Sequence, residues 1–349
     1  MDDFLESLSA SVRDAVASAR PMRVQGGNTK AFYGGEPKGE PCSMTDYSGI
    51  VSYEPTELVM TARAGTPLSA IKDTLRESGQ MLPFEPPAFG LGATLGGTIA
   101  CGFSGPARPY RGAARDLVLG ISCVSGRGEI LNFGGQVMKN VAGYDVSRLM
   151  VGSLGTLGII TQVSLKVLPI PQISVTQCFE LSATAALERM TGLLTRPLPV
   201  TASAWHDGLL RVRFSGVEAS VAAAIEAVEG ESDPAGDAFW DDLREHRLSF
   251  FDGPAPLWRL SVKPQIQVLN VPGDFLIDWG GGVYWVKSDC LLEDLGKCAK
   301  TAGGHATRFR GGDRTMGCSA LDGVSIRLNE RLKNAFDPHH VLNPGRLLI

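Results

Sequence analysis

Long apolar runs are missing from this chain of 349 residues. Nothing approaches the roughly 18 consecutive apolar residues of a membrane span, so no spanning helix is expected. A basic excess is missing too. Lys and Arg number 33 against 37 Asp and Glu, a net charge of −4, which argues against a nucleic-acid partner. The chain opens Met1-Asp2-Asp3, with acids where a secretory leader carries Lys or Arg. The expectation is a cytoplasmic protein, membrane-associated only through partners. The seven cysteines, at 42, 101, 123, 178, 290, 298 and 318, form no CxxC pair. Neither a metal site nor an iron–sulfur cluster is expected, and the thiols should stay reduced. A Walker loop, GxxxxGK[ST], is also absent.

Glycine is abundant instead: 42 of 349 residues, about 12% against an average near 7%. It clusters at 26–35, 90–105, 112–135 and 143–158. Clusters between apolar segments mark loops whose backbone must approach something closely.

The apolar periodicity predicts a helix over 2–20, stopped by Pro21, and strands at 22–25, 50–53 and 58–62. A further helix should start with Thr66 as N-cap and Pro67 in its first turn, burying Leu68, Ile71 and Leu75. Residues 86–104 read as a long loop. A hairpin (117–124 with 129–133) and a strand at 157–168 follow, and Pro169 and Pro171 mark a domain boundary. Beyond it, the order β-α-β-β-α over 174–228 predicts a ferredoxin-like layer. Strands near 258–263, 275–279, 283–287 and 305–310 would make a second sheet. A helix over 323–336 closes the chain. The fold class is α+β, with domains at 1–170 and 171–322, and 323–349 returning to the first.

Three stretches can carry chemistry. Gln25-Gly26-Gly27-Asn28-Thr29-Lys30 follows a strand. Its backbone N–H groups can form a phosphate nest, with the Thr29 hydroxyl and Lys30 ammonium as added donors; an ordinary turn fits the same residues. Gly92-Ala93-Thr94-Leu95-Gly96-Gly97 resembles a dinucleotide fingerprint only superficially, because no helical periodicity follows it. It suits either a backbone lying against an extended ligand or a ligand-free crossover. Gly155-Thr156-Leu157-Gly158 leads into a strand and can present amides to a phosphate or an adenine edge.

Their order, together with Met138-Lys-Asn-Val-Ala-Gly-Tyr-Asp-Val-Ser-Arg-Leu-Met-Val-Gly-Ser-Leu-Gly-Thr-Leu-Gly158, Gly303-Gly-His-Ala-Thr-Arg-Phe-Arg310 and Leu342-Asn343-Pro344-Gly345-Arg346, resembles the vanillyl-alcohol oxidase or PCMH-type FAD-binding family. Within it, the chain is similar to flavin-binding subunits of bacterial glycolate oxidase. The resemblance implies a PCMH-type, non-Rossmann FAD domain and these roles. Gly26, Gly27, Asn28, Thr29 and Lys30 would hold the pyrophosphate. Ala93, Thr94, Gly96, Gly97, Cys101, Gly102, Phe103 and Ser104 would run beside pyrophosphate and flavin ring. Leu154, Gly155, Thr156, Leu157, Gly158, Ile159 and Ile160 would meet the adenosine half. Asn343-Pro344-Gly345-Arg346 would bring the C-terminus back toward the flavin region. Relatives that attach flavin covalently often use a His in the first loop; Asn28 stands there, so FAD should be non-covalent.

The resemblance further implies oxidation of glycolate to glyoxylate with electron transfer through flavin. Partners would be a catalytic FAD-containing glycolate oxidase subunit and an iron–sulfur subunit, with a small 2-hydroxy acid bound at the level of the complex. A hydroxy-acid motif of the HxGDGNxH kind is missing, so no catalytic residue is assigned. His305 is the best candidate for a flavin-side role. Arg108, Arg111 and Arg115 suit a carboxylate, a partner subunit or a solvated loop in which Arg115 pairs with Asp116 or another acid. Trp279–Trp285 suits a pocket, an interface or a buried sheet edge. Two other readings stay open: an assembly subunit whose flavin loops no longer bind, and a self-sufficient FAD-dependent 2-hydroxy acid oxidase.

Overall fold

The computed structural model describes residues 3–135, 145–315, 317 and 321–347. They fall into two compact units: Met1–Phe103, Ala113–Pro169 and Leu321–Ile349 in one, Ser104–Gly112 and Ile170–Ala320 in the other.

In the first unit, the helix Asp3–Ala17 buries Leu8, Val12 and Ala15, one stripe at helical spacing. Strands β1 (Met22–Gln25) and β2 (Glu40–Ser43) pair in parallel. The chain then gives β3 (Ile50–Glu54), β4 (Val59–Arg63), β5 (Gln80–Met81), β6 (Val118–Val124), β7 (Ile130–Gly134), β8 (Ile159–Lys166) and β9 (Leu168–Pro169). Five of these form one antiparallel sheet in the order β3-β4-β8-β6-β7, and β5 pairs with β9. The helix Leu68–Glu77 buries Leu68, Ile71 and Leu75 against this sheet's core. Its N-cap is Pro67, not Thr66. The Thr66 hydroxyl serves the preceding turn instead, donating to the Arg63 carbonyl at 2.7 Å.

Residues 86–104 are not all loop. A helix spans Leu95–Cys101, capped by Thr94, whose hydroxyl accepts from the Gly97 amide, and ended by Gly102 at φ 65°. Seven residues are too few to display a 3.6-residue period, and tertiary burial of Leu95 and Ile99 sustains it.

The second unit is built on β10 (Ile173–Glu180), β11 (Val200–His206), β12 (Leu209–Gly216), β13 (Glu231–Ser232), β14 (Leu257–Ser261), β15 (Asp274–Asp278), β16 (Val283–Lys287) and β17 (His305–Arg310). The first four, with the helices Ala183–Leu194 and Glu218–Val228, have the ferredoxin-like order β13-β10-β12-β11. The later strands form no separate sheet. Trp205 bridges to Ile277, joining β11 to β15 in a single eight-stranded sheet. The helices pack on one face, burying Leu187, Leu210, Val221, Leu260, Tyr284 and Leu295 together. A helix at Gly236–Glu245, absent from the sequence reading, anchors through Trp240, whose indole N–H donates to the Thr176 hydroxyl at 2.9 Å.

Residues 104–112 also depart from the expected boundary, since they pack within the second unit. The Tyr110 hydroxyl lies 2.8 Å from the Ser203 hydroxyl, Arg108 sits 4.4 Å from the Trp279 ring centroid, and the Trp279 indole donates to the Gly105 carbonyl. Arg115 does not take Asp116 in an ion pair. Asp116 accepts from the Ala113 amide and lies 3.8 Å from Arg148.

Candidate functional site

The first unit holds two adjoining clefts, of about 100 and 60 Å³. Gly26, Gly27, Asn28, Thr29, Lys30, Thr94, Gly97 and Cys101 line the larger. Gly96, Gly155, Gly158 and Ile160 line the smaller, and Thr94, Gly97 and Asn343 belong to both. The first glycine loop thus converges with residues near 94–101, 155–160 and 343.

Glycines permit that convergence. A Cβ on Gly27 would overlap the Gly92 carbonyl oxygen, and one on Gly26 would overlap the Thr94 hydroxyl. A Cβ on Gly96 would stand 2.7 Å from the Ala64 Cβ. Backbones pressed this closely leave their other faces open to a ligand. Asn28 (φ 58°), Leu154 (φ 53°) and Asn343 (φ 45°), all lining the larger cleft, adopt the left-handed region. Such residues gather at ligand sites because surrounding structure must enforce them.

The C-terminal segment supplies the enforcement. The Asn343 side chain accepts from the Val24 amide at 2.7 Å and donates to the Leu154 carbonyl at 2.7 Å. One amide thereby ties the strand before the first glycine loop to the turn holding Gly155. Arg346 donates to the carbonyls of Lys30, Ala31 and Gly35 at 3.0–3.1 Å, fixing the loop from its far side. Upstream, the buried Asp337 carboxylate accepts from Lys333 at 2.6 Å and from the amides of Val341 and Leu342. Lys333 also donates to the Thr156 carbonyl.

The cleft is electropositive. Lys30 is buried and donates to the Ala88 carbonyl and the Thr29 hydroxyl. Burial raises the Cys101 thiol above its usual range, while the positive charges of Lys30 and Arg346 pull it down. A small-residue floor with buried cations suits a dianionic pyrophosphate.

Some expected residues stand elsewhere. The Ala93 carbonyl accepts from Leu68, and Gly102 ends its helix. Phe103 packs edge-on against Tyr33, and Ile159 is buried in the core beside the first helix. Ser104 belongs to the second unit. Thr156 and Leu157 line a separate cavity of about 730 Å³, which shares Asn343 with the clefts. Met138–Tyr144 lies outside the described residues. Sequence reasoning missed Leu154's strained backbone and the loop carbonyls that Arg346 binds, whose signals are purely tertiary. Among the described residues, no helix is long and apolar enough to cross a membrane, and no group of three His, Cys, Asp or Glu could hold a metal. The six described cysteines are free, and Cys318 lies outside the described residues.

His305 begins β17 in the second unit. Burial and then Arg259 lower its pKa below the usual imidazole value.

Residues 5–134 match the family model described as an FAD binding domain. The chain is 46% identical to glycolate oxidase subunit GlcE of Escherichia coli K12, over 99% of this chain and 97% of that protein. It is 34% identical to glycolate oxidase subunit GlcD of Bacillus subtilis 168, over 35% of this chain and 26% of that one. A solved structure of alkyldihydroxyacetonephosphate synthase superposes with a TM-score of 0.67 at 18% identity, over 99% of this chain and 74% of that chain.

Proposed function

The chain belongs to the family of glycolate oxidase subunit GlcE and binds FAD, and we propose that it serves as the FAD-binding subunit of a multi-subunit glycolate (2-hydroxy acid) oxidase. The carrying observation is the end-to-end match to GlcE. Oxidation of a CH–OH donor such as glycolate removes a hydride and a proton to leave glyoxylate, and bound FAD supplies the two-electron acceptor.

The chain's own residues bind and orient. Gly26–Lys30 present backbone amides, the Thr29 hydroxyl and the Lys30 ammonium to the pyrophosphate. Thr94, Gly96, Gly97 and Cys101 run alongside it. Gly155, Gly158 and Ile160 meet the adenosine half, and the cavity lined by Thr156 and Leu157 is of a size suited to a small-molecule moiety. Asn343 holds the first and third of these groups at fixed separation. With Asn28 in the first loop, the flavin is held without a covalent bond. The partners are a second FAD-containing subunit, like the GlcD relative, and an iron–sulfur subunit, and the assembly works on the cytoplasmic side.

Purification of the chain alone, followed by FAD titration, tests the cofactor assignment. One dissociable flavin per chain, released by acid precipitation, is expected. Retention of flavin after deletion of Gly26–Lys30 would refute the assigned residues. Co-purification from the native host with a flavin count per subunit tests the assembly, and recovery of the chain without flavoprotein or iron–sulfur partners would refute it.

A further inference from the structure

In the second unit, the eight-stranded sheet turns Leu260, Tyr284 and Ala306 toward its helices. Strand alternation places Arg259, Ser261, Trp285, His305 and Thr307 on the opposite face. Register aligns them. Arg259 stands directly opposite Thr307 on β17 and opposite Trp285 on β16, and Ser261 stands opposite His305. Directly paired side chains in such a sheet have Cβ atoms about 5 Å apart, so Thr307, Arg259 and Trp285 form one row of donors with His305 in the next.

Two donor nitrogens of that row have nothing to donate to among the described residues. The Arg259 Nε and the Trp285 Nε1 are buried, and neither has a hydrogen-bond partner among the described residues. Trp285 is only 6% exposed, and its ring is held edge-on by Phe309 at 4.9 Å and His246 at 4.6 Å. Buried N–H groups are almost always paired, so an orphaned pair in one row calls for a missing acceptor. Arg259 has no ion pair among the described residues, and its charge depresses protonation of both His305 and His246. Asp274 and Asp278, the two carboxylates on β15, are three strands from His305 across the same sheet.

We propose that Thr307, Arg259 and Trp285, with His305 beside them, form a binding site for a small monocarboxylate anion. The guanidinium fork matches both carboxylate oxygens. The planar fork suits a flat carboxylate better than a tetrahedral phosphate. The indole N–H and the Thr307 hydroxyl provide further donors for an adjacent oxygen. The rings of Trp285 and Phe309 keep the site small. Under this proposal the second unit recognises an acid itself, which goes beyond the flavin-binding role proposed above; only the choice of probe rests on that role.

The test is calorimetric titration of the full FAD-loaded chain with sodium glycolate at constant ionic strength, with inorganic phosphate as the competing anion. Saturable glycolate binding is expected. Arg259→Gln should weaken it by about 10- to 100-fold, and Thr307→Val and Trp285→Phe should each weaken it several-fold. The flavin count should be unchanged in all three, which separates this site from failure of the flavin assignment. If Arg259→Gln does not fold, Arg259→Lys, which keeps the charge and loses the fork, decides: weakened binding supports the site, and wild-type affinity overturns it. Absence of glycolate binding by the wild-type chain, or phosphate bound as tightly as glycolate, also overturns the proposal.

Discussion

The first unit gathers its candidate site residues with backbone, the second with side chains. In the first, glycines, left-handed residues and amide–carbonyl ties from Asn343 and Arg346 bring three distant stretches to one cleft. In the second, an aromatic layer of His246, Phe251, Trp285 and Phe309 packs on a sheet face that carries Arg259. His246 stacks on Phe251 with ring centroids 3.9 Å apart and planes 4° from parallel. A backbone-built site tolerates no added atoms where chains touch. A side-chain-built face instead registers changes in charge and hydrogen bonding. Substitutions in the two units should therefore fail in different ways.

The largest effect is expected at Asp337. Replacement by Ala leaves Lys333 and two backbone amides without their buried acceptor. Breaking a buried ion pair on one side costs about 3–5 kcal/mol. Denaturant unfolding should show that loss and flavin should be released; a change no larger than that of a surface variant would break the comparison. Gly27→Ala comes next, at about 1–3 kcal/mol for overpacking, because the added methyl meets the Gly92 carbonyl. Here flavin content should fall more steeply than the melting temperature. Equal flavin content in variant and wild type would show that the loop does not touch the cofactor.

Asn343→Ala should cost about 1–3 kcal/mol by orphaning the Val24 amide. Its signature is a raised FAD dissociation constant with far-UV circular dichroism retained. The smallest effect belongs to the second unit. Burial holds His246 well below the usual imidazole pKa, aided by Arg310 and Arg259. Below pH about 6.5 the unfolded chain binds a proton that the folded one refuses. Stability is therefore fully present above that pH and is lost as the pH falls, by at most about 1.4 kcal/mol per pH unit. His246→Phe should flatten the difference between melts at neutral and mildly acidic pH without altering flavin content. A profile parallel to wild type would remove His246 as the cause.

The two units also differed in how far sequence could reach. The strand and helix positions of both were legible from apolar spacing, as at Leu68, Ile71 and Leu75. The first glycine loop was legible because a Gly-Gly-Asn turn after a strand is a local pattern. The Leu95–Cys101 helix was not, since seven residues carry no measurable period. Residues 104–112 were misplaced because Tyr110 and Arg108 find Ser203 and Trp279, partners far along the chain. The single eight-stranded sheet hinged on the pairing of Trp205 with Ile277, which no local propensity encodes.

The sequence alone determined that glycine-rich backbone segments could pack closely against one another, because φ freedom and the absence of a Cβ are properties of each residue. It also determined the β-α-β-β-α element order over 174–228, which alternation and turn residues encode locally. Only tertiary structure decided that Asn343 meets Val24 and Leu154. It alone decided that Asp337 anchors the C-terminal segment and that Arg259 shares a row with Trp285. Those pairings join residues from distant parts of the chain and exist only once both cores have closed.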